Sequence, residues 1–365
     1  MRIATIGFQK SGKTTVFNAL TGQQATTAAY TTGRPTLNQA VVKIPDPRLD
    51  RLAELFKPKK NTPATVQYVD AVGFARGEPG GGAEGLGEKM LHEIGTADAL
   101  LAVICGFEDP ALGGAPDPTG DAEAMALELA LADLRKVENR LERTEKQIHK
   151  LAGKERAAMQ LERTVLARLQ GALEEGRPAR AVELTNDEEK AVRGFQLLTL
   201  KPTMYLINEN ETRWSEHKDA EVDLGGLAAY PATMGTRLCA QTEMEITQLP
   251  DEDRTEFLAD YGIDEPAAAR IIRLCYELLG RISFFTVGAD ECRAWTVRRG
   301  ASAPEAAGTI HSDLERGFIR AEVIRWDELL ELGSMAEAKK HGKLRTEGKN
   351  YEVRDGDVVN VLFST

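Results

Sequence analysis

The sequence contains few cysteines and no long apolar run. Its four cysteines stand far apart and form no C-x-x-C pair, which argues against a disulfide framework and against a zinc site. No apolar stretch is long enough to cross a membrane, and the first residues lack the long apolar segment of a secretory signal. These absences predict a soluble, cytoplasmic protein with reduced thiols.

Basic side chains are fewer than acidic ones. The chain has 46 Lys and Arg against 57 Asp and Glu, a net charge of −11 at pH 7. This balance argues against a protein that coats nucleic acid by bulk electrostatic attraction, because phosphate neutralisation needs clustered cations. Residues 281–365 hold 13 basic and 14 acidic side chains, so nearly all of the acidic excess lies elsewhere. The length of 365 residues predicts two or three domains.

The first motif with chemical content is the stretch GFQKSGKTT at residues 7–15. It satisfies G-x-x-x-x-G-K-[ST], it follows the apolar residues 3–6, and it precedes an amphipathic run from Val16. A phosphate-binding loop requires this strand–loop–helix context. Its backbone N–H groups bind phosphate oxygens, its lysine neutralises them, and its threonine hydroxyl binds Mg²⁺. We therefore predict a nucleotide site formed by Lys10, Ser11, Gly12, Lys13, Thr14 and Thr15.

A second motif, Asp70-Ala71-Val72-Gly73, follows the β-rich residues 65–69. Alone it is a weak signal, because Asp and Gly both favour turns. After a phosphate-binding loop it indicates that Asp70 holds Mg²⁺ together with Thr14 and that the Gly73 amide senses the γ-phosphate. Residues 77–87 contain six glycines, a composition typical of a mobile switch segment.

A third motif concerns the base. The buried-strand pattern of residues 203–207 is followed by Asn208-Glu209-Asn210-Glu211, where GTPases carry N-K-x-D. Glu211 is one methylene longer than the aspartate that accepts two hydrogen bonds from guanine, so we do not expect that contact, and adenine becomes the favoured base. We predict that Asn208 and Glu211 read adenine. The competing interpretation is a loop with an N-cap asparagine and solvated acids.

With these motifs the chain resembles the YchF/Obg-like ATPase family over essentially its whole length. The similarity is closest in the carboxyl-terminal part, at residues 293–296, 307–311, 316–323 and 355–358. The resemblance implies an α/β fold: a P-loop NTPase G domain with a mostly parallel sheet and flanking helices, an inserted α-helical hairpin (coiled coil) and a C-terminal β-grasp TGS domain. It also implies a preference for ATP, and it leaves the Ala240 backbone N–H as a donor beside the base.

Two departures from the family pattern affect the phosphate site. Gln9, Lys10 and Ser11 replace the usual loop residues and add a charge near the phosphates. The first switch of the family usually offers a threonine to Mg²⁺. Arg34 stands at that position here, which leaves Thr32 or Thr36 as alternative ligands.

The residues that would activate water are not evident. Residues 112–114 occupy the place of the family's candidate catalytic histidine, and Phe74 stands where hydrolysing GTPases commonly keep the glutamine that orients water. His92 follows the glycine-rich segment, but a lone helical histidine is more often structural. The catalytic residue is therefore left unassigned.

Residues 119–197 carry a helical pattern. Apolar side chains recur at intervals of three and four residues from Leu134 to Leu151 and from Leu161 to Leu173, with Gly153 between the two runs. This pattern predicts an antiparallel helical hairpin inserted into the nucleotide domain. Its charged outer faces agree equally well with solvation and with an arm that contacts a partner.

The segment from Arg281 onwards alternates strand-like runs with turns. By the resemblance it is the TGS domain. Arginines could line one of its faces together with Trp295 and Phe318, a combination that suits RNA; they are Arg293, Arg298, Arg299, Arg316 and Arg320. The alternative is a packed core with arginines at its rim.

These observations lead to predicted domain boundaries and a predicted activity. The G domain is expected at residues 1–118 and 198–280, the hairpin at 119–197 and the β-grasp domain at 281–365. The expected function is slow hydrolysis of ATP by a Mg²⁺-dependent molecular switch that associates with the ribosome or RNA through the β-grasp domain and the hairpin. The alternatives are a nucleotide-responsive binding module with little turnover and a genuine GTPase.

Overall fold

The computed structural model describes residues 1–22, 38–71, 73–75, 87–109, 114–217, 220–260 and 265–364. These residues form two compact units. One unit contains residues 2–40 and 67–270, and the other contains residue 1, residues 41–66 and residues 271–365. Within the ranges given, no helix is both long and apolar enough to span a bilayer.

Strands and helices occur throughout the described ranges. In chain order the strands are β1 (Arg2–Ile6), β2 (Asn38–Lys43), β3 (Lys60–Thr62), β4 (Thr65–Asp70), β5 (Ala99–Cys105), β6 (Thr203–Asn208), β7 (Thr233–Leu238), β8 (Arg281–Thr286), β9 (Glu291–Arg298), β10 (Phe318–Arg325), β11 (Arg345–Glu347) and β12 (Asp357–Phe363). The helices are α1 (Lys13–Thr21), α2 (Pro47–Phe56), α3 (Gly87–Gly95), α4 (Pro118–Ile148), α5 (Gly153–Glu174), α6 (Asn186–Val192), α7 (Glu211–His217), α8 (Ala240–Gln248), α9 (Asp251–Asp260), α10 (Ala267–Leu278), α11 (Ala303–Ile310), α12 (Ser312–Arg316), α13 (Trp326–Leu332) and α14 (Met335–Lys340).

The first unit is built on a six-stranded sheet with the order β2-β4-β1-β5-β6-β7. β1 pairs in parallel with β4 and β5, and β6 pairs in parallel with β5 and β7. Strands β5 and β6 are buried along their whole length, as expected for central strands with both faces covered. Because the carboxyl ends of parallel strands share one edge, the residues that follow β1, β4 and β6 lie together. The predicted P-loop α/β fold is confirmed.

Helices α4 and α5 form the predicted hairpin. Gly153 begins α5 with a φ of +56°, a conformation that glycine adopts without strain. Asp133, buried on α4, accepts hydrogen bonds from the backbone N–H groups of Leu198 and Thr199, which anchors the hairpin to the chain that enters β6. The two helices share a buried apolar cluster that includes Ala130, Val137, Val165, Leu166, Leu169 and Leu173.

The second unit is built on a mixed sheet with the order β11-β10-β12-β8-β9-β3. β10 pairs antiparallel with β11 and β12, β8 pairs antiparallel with β9, and the β12–β8 pair is parallel. Helix α11 packs on one face of this sheet, around Phe284 and Phe318. The arrangement agrees with the β-grasp fold expected from the sequence. Phe318 is only 4% exposed, so it belongs to the core and is not available to stack on RNA.

Residues 41–66 contribute a helix and a strand to the second unit. β3 pairs in parallel with β9, and Leu49 and Leu52 of α2 pack with Phe285 in a core cluster. Arg48 lies 2.8 Å from Asp46 and 2.6 Å from Asp355. The predicted domain boundaries assign this segment to the G domain, and they stay a prediction. The observed division of the chain groups the segment with the carboxyl-terminal residues.

Candidate nucleotide-binding site

The loop between β1 and α1 contains two glycines at which close neighbours leave no room for a side chain. Gly12 has a φ of +84°, and a Cβ added there would lie 2.2 Å from Asn208 Nδ2. A Cβ added at Gly7 would lie 2.4 Å from the carbonyl oxygen of Val103. The loop is therefore packed closely against β5 and β6, with glycines where a side chain would not fit, as in other anion-binding loops.

Lys13, the first residue of α1, carries a buried ammonium group. Only 8% of the residue is exposed, and Nζ donates a hydrogen bond to the carbonyl oxygen of Phe8 at 2.7 Å. A Cβ at Gly73 would lie 2.5 Å from this Nζ. Burial lowers the pKa of Lys13 to about 8, and the negative charge of Asp70 opposes that shift. An anion bound in the loop would stabilise this cation.

The main chain after Asp70 is bonded to the loop. The N–H of Gln9 donates to the carbonyl oxygen of Phe74 at 2.8 Å, and the N–H of Phe74 donates to the carbonyl oxygen of Gly7 at 3.0 Å. The Phe74 side chain is fully buried in the core of the first unit. An apolar side chain in this position cannot orient water, so Phe74 does not replace the glutamine of hydrolysing GTPases.

Thr14 and Asp70 form an oxygen-rich corner beside Lys13. The Thr14 hydroxyl lies 3.3 Å from Asp70 Oδ2, and Asn38 Nδ2 donates to the same oxygen at 3.2 Å. Asp70 Oδ1 is buried and has no hydrogen-bond partner among the described residues. Burial raises the pKa of this carboxyl, and Asn38, Lys13 and Thr14 oppose that shift; a bound cation would further favour its ionised form. Because Mg²⁺ prefers such hard oxygen ligands, the residues present fit this ion.

Asn208 connects the phosphate loop to the start of α8. Its Nδ2 donates to the carbonyl oxygen of Ser11 at 3.1 Å, and its Oδ1 accepts a hydrogen bond from the Ala240 N–H at 3.2 Å. The Ala240 N–H, which the sequence analysis left available for the base, is therefore already bonded within the protein. Asn208 is 5% exposed, and its hydrogen bonds link the end of β6 to the phosphate loop and to the start of α8.

Glu209 is a buried residue that the sequence analysis missed. Its side chain is 1% exposed, and its Oε1 lies 3.1 Å from Arg237 Nη1 and 3.3 Å from His217 Nδ1. Arg237 also donates to the carbonyl oxygens of Ala220 and Glu221. The sequence signal was limited to burial, because Glu209 stands two residues after the apolar run at residues 204–207. Nothing in that run identifies Arg237 or His217 as its partners.

The remaining predicted residues divide into exposed, buried and undescribed ones. Two of them are exposed: Lys10, which has a φ of +66°, and Glu211, which is the first residue of α7. Thr15 is half-buried and Ser11 is buried. His92 on α3 is exposed. The predicted first-switch ligands Thr32 and Thr36, Arg34 beside them, most of the glycine-rich segment and residues 112–113 lie outside the described ranges.

Two family models match the chain. One, MMR_HSR1, is described as a 50S ribosome-binding GTPase and matches residues 2–156. The other, YchF-GTPase_C, is described as a protein of unknown function (DUF933) and matches residues 281–364. The two matches fall on the sheet that carries the phosphate loop and on the β-grasp sheet.

Individual relatives match over nearly the full length. The chain is 40% identical to the ribosome-binding ATPase YchF of Bacillus subtilis, with 98% of each chain covered. It is 33% identical to Obg-like ATPase 1 of Oryza sativa subsp. japonica, with all of this chain and 92% of the relative covered. Among solved structures, the Schizosaccharomyces pombe YchF GTPase matches with a TM-score of 0.78 at 27% identity and covers 99% of this chain and 97% of its own.

Proposed function

The chain belongs to the YchF family, and from this membership we propose that it is an ATP-preferring P-loop NTPase that works as a molecular switch on the ribosome. Membership makes it a P-loop nucleotide hydrolase. Both relatives are named ATPases, and the name of the Bacillus subtilis relative also contains ribosome-binding. The observation that carries the proposal is the buried Lys13 ammonium beside Asp70, in a loop that has no room for side chains at its glycines.

The phosphates of ATP bind to the loop in this proposal. Lys13 exchanges its contact with the Phe8 carbonyl oxygen for the β- and γ-phosphates, and backbone N–H groups of Lys10, Ser11, Gly12, Thr14, Thr15 and Gly73 bind phosphate oxygens. Thr14 and Asp70 hold Mg²⁺. When bound, Mg²⁺ neutralises charge on the β- and γ-phosphate oxygens.

Adenine is the proposed base. The side-chain amide of Asn208 is already hydrogen-bonded to Ser11 and Ala240. Asn208 would therefore assist base binding by positioning the residues around the base. Glu211 is exposed at the start of α7, and its carboxylate can accept a hydrogen bond from the adenine N6 amino group. The longer glutamate does not offer the bidentate contact that guanine needs. The word GTPase in the name or description of each family model and in the name of the Schizosaccharomyces pombe structure makes GTP the competing nucleotide.

Hydrolysis is proposed to be slow. Phe74 is buried and apolar, and none of the described residues has been assigned as a general base. The Gly73 amide would sense the γ-phosphate, and loss of that phosphate would free this amide. Slow turnover suits a switch, because the ATP-bound state then lasts long enough for a partner to respond.

The proposed partner is the ribosome, approached through the helical hairpin and the β-grasp domain. The relatives' names supply the ribosome, and the near-neutral residues 281–365 lack the acidic excess of the rest of the chain. With this partner, we place the protein in the cytoplasm.

The Lys13→Ala variant tests this function directly. In calorimetric titrations we expect wild type to bind ATP with Mg²⁺ more tightly than GTP. The variant should bind neither nucleotide, because it removes Lys13, the only lysine that is buried among the described residues. Phosphate release by wild type should exceed the rate of the variant.

Lys43→Ala is the matched control, since Lys43 is an exposed lysine on β2, and it should leave both affinities unchanged. Unchanged ATP affinity in Lys13→Ala would contradict the site. Tighter binding of GTP by wild type would favour the GTPase alternative, and phosphate release at the rate of the variant would favour the binding module.

A further inference from the structure

A cleft lies beside the segment that joins β11 to β12 in the second unit. Its volume is about 770 Å³, and it is lined by Ile282, by Arg299 and Gly300, and by residues 347–355, all of which belong to that unit. Cavities of about 300–1,000 Å³ are typical of sites for small molecules. The phosphate loop at residues 7–15 is not part of this lining, so the proposed ATP site leaves the cleft unexplained.

Buried and hydrogen-bonded residues fix the shape of the cleft. Ile282 and Val353 are each 3% exposed and contribute apolar surface to the lining. Tyr351 is held beside them, because its hydroxyl donates to Asp357 Oδ2 at 2.7 Å and accepts a hydrogen bond from Arg345 Nη2 at 3.1 Å. The cleft is therefore preformed, and it offers both apolar and polar surface to a ligand.

The side chains around the cleft carry an excess of unpaired positive charge. Two of its acids are neutralised within the protein, since Glu347 lies 3.1 Å from Arg345 and Asp355 lies 2.6 Å from Arg48. Glu352 forms no ion pair with any described residue. Three exposed cations of the lining are equally unpaired there: Arg299, Lys349 and Arg354. Three unpaired cations against one unpaired acid leave an excess of two positive charges, which a bound anion would balance.

The main chain of the lining adds hydrogen-bond donors to these charges. The N–H groups of Lys349 and Asn350 have no acceptor among the residues that the structure describes. The neighbouring Gly348 carries no side chain, and a Cβ added there would have no atom within 4 Å, so packing does not require a glycine at this position. Consecutive main-chain N–H groups beside lysine and arginine are a common way to bind phosphate oxygens.

We propose that this cleft binds the phosphate group of a small phosphorylated molecule, with Arg299, Lys349 and Arg354 as the contacting residues. An excess of two positive charges matches the charge of one phosphate ester, and charge-assisted hydrogen bonds from arginine suit its oxygens. The apolar surface beside Tyr351 accommodates the organic part of the ligand. A nucleic acid backbone needs cations along an extended groove, whereas these three line one concave cleft.

The test is calorimetric titration of the full-length protein with inorganic pyrophosphate, in a Lys13→Ala background so that the phosphate loop does not contribute. We expect this protein to bind pyrophosphate, and the further change Lys349→Gln to weaken that binding at least about tenfold, because it removes one charged contact. Gly348→Leu keeps every charge and adds bulk to the lining, so it should weaken binding as well. AMP and glucose 6-phosphate, titrated in the same way, distinguish a nucleotide from a sugar phosphate as the source of the phosphate group.

Lys339→Gln is the matched control, because Lys339 is an exposed lysine of α14 that does not line the cleft, and it should leave pyrophosphate binding unchanged. Equal losses in Lys339→Gln and Lys349→Gln would overturn the proposal, as would a lack of binding of all three probes. Binding of an RNA oligonucleotide alone would also overturn it, since the cations would then belong to a nucleic acid surface. ATP titration of wild type keeps the two proposals separate: ATP binding without pyrophosphate binding in the Lys13→Ala background refutes only the cleft, and failure to bind ATP refutes only the nucleotide site.

Discussion

At the scale of single residues, Lys13 and Asp70 are two opposite charges buried in one corner. Burial lowers the pKa of Lys13 to about 8 and raises that of Asp70. The charged form of each group is therefore destabilised, and the opposite charge of the other group offsets only part of this effect. A triphosphate supplies an anion for Lys13, and a divalent cation supplies the counter-charge for Asp70. A bound triphosphate with a divalent cation would therefore compensate both charges of the corner.

The affinity for ATP should consequently depend on pH above neutrality. Bound phosphate raises the pKa of Lys13, so binding is strongest where the lysine is already protonated in the free protein, below about pH 8. Above that value binding must take up a proton, and the affinity should fall by up to about tenfold per pH unit. Calorimetry at pH 9 in two buffers of different ionisation enthalpy should detect uptake of nearly one proton. Undiminished ATP binding without proton uptake would contradict the assignment of Lys13.

The positions of the residues at the phosphate loop were predictable where a motif fixes the backbone, and their roles in binding stay predictions. The loop glycines, Lys13, Thr14 and Asp70 follow from spacing, because the strand–loop–helix geometry leaves few alternatives. Glu209 was not predictable, because its partner Arg237 is 28 residues away and lies beside it only through the pairing of β6 with β7. The reading of adenine by Asn208 and Glu211 stays a prediction.

At the scale of elements, periodicity located the hairpin but not what attaches it. The apolar seam is local and can be read from i, i+3 and i+4 spacing. The anchoring residue, Asp133, is a polar residue on a buried face, and it accepts three hydrogen bonds, two from backbone N–H groups and one from the Thr199 hydroxyl at 2.6 Å. Its partners are 65 and 66 residues further along the chain, beyond the reach of any pattern.

Replacement of Asp133 should destabilise the first unit. Asp133→Ala leaves the N–H groups of Leu198 and Thr199 buried without an acceptor, and each such group costs about 1–3 kcal/mol. We expect a decrease of about 3 kcal/mol in the free energy of unfolding, measured by urea denaturation. Glu138→Ala removes an exposed acid from the same helix and should change the stability by less than about 0.5 kcal/mol. Equal effects of the two variants would show that the anchor is unimportant.

At the scale of the whole molecule, the domain boundary that the sequence indicates differs from the division of the folded chain into compact units. The carboxyl-terminal family model covers residues 281–364, and composition also changes near Arg281, so a sequence-based boundary falls there. Residues 41–66 nevertheless supply an edge strand and the helix that carries Leu49 and Leu52 to the same core. Local patterns identified neither the pairing of β3 with β9 nor this contact, because the two segments are separated by more than 200 residues.

This grouping makes a remote substitution affect the carboxyl-terminal sheet. Leu52 is fully buried in a cluster with Phe285 and Val358, so Leu52→Ala leaves a cavity that should cost about 2–5 kcal/mol. Hydrogen exchange followed by mass spectrometry should therefore accelerate in β8, β9 and β12, more than 220 residues away in sequence. Val41→Ala, at a site that is 66% exposed, should leave exchange unchanged. If Leu52→Ala accelerated exchange only within residues 67–270, the segment 41–66 would stabilise the first unit instead, and the observed grouping would be wrong.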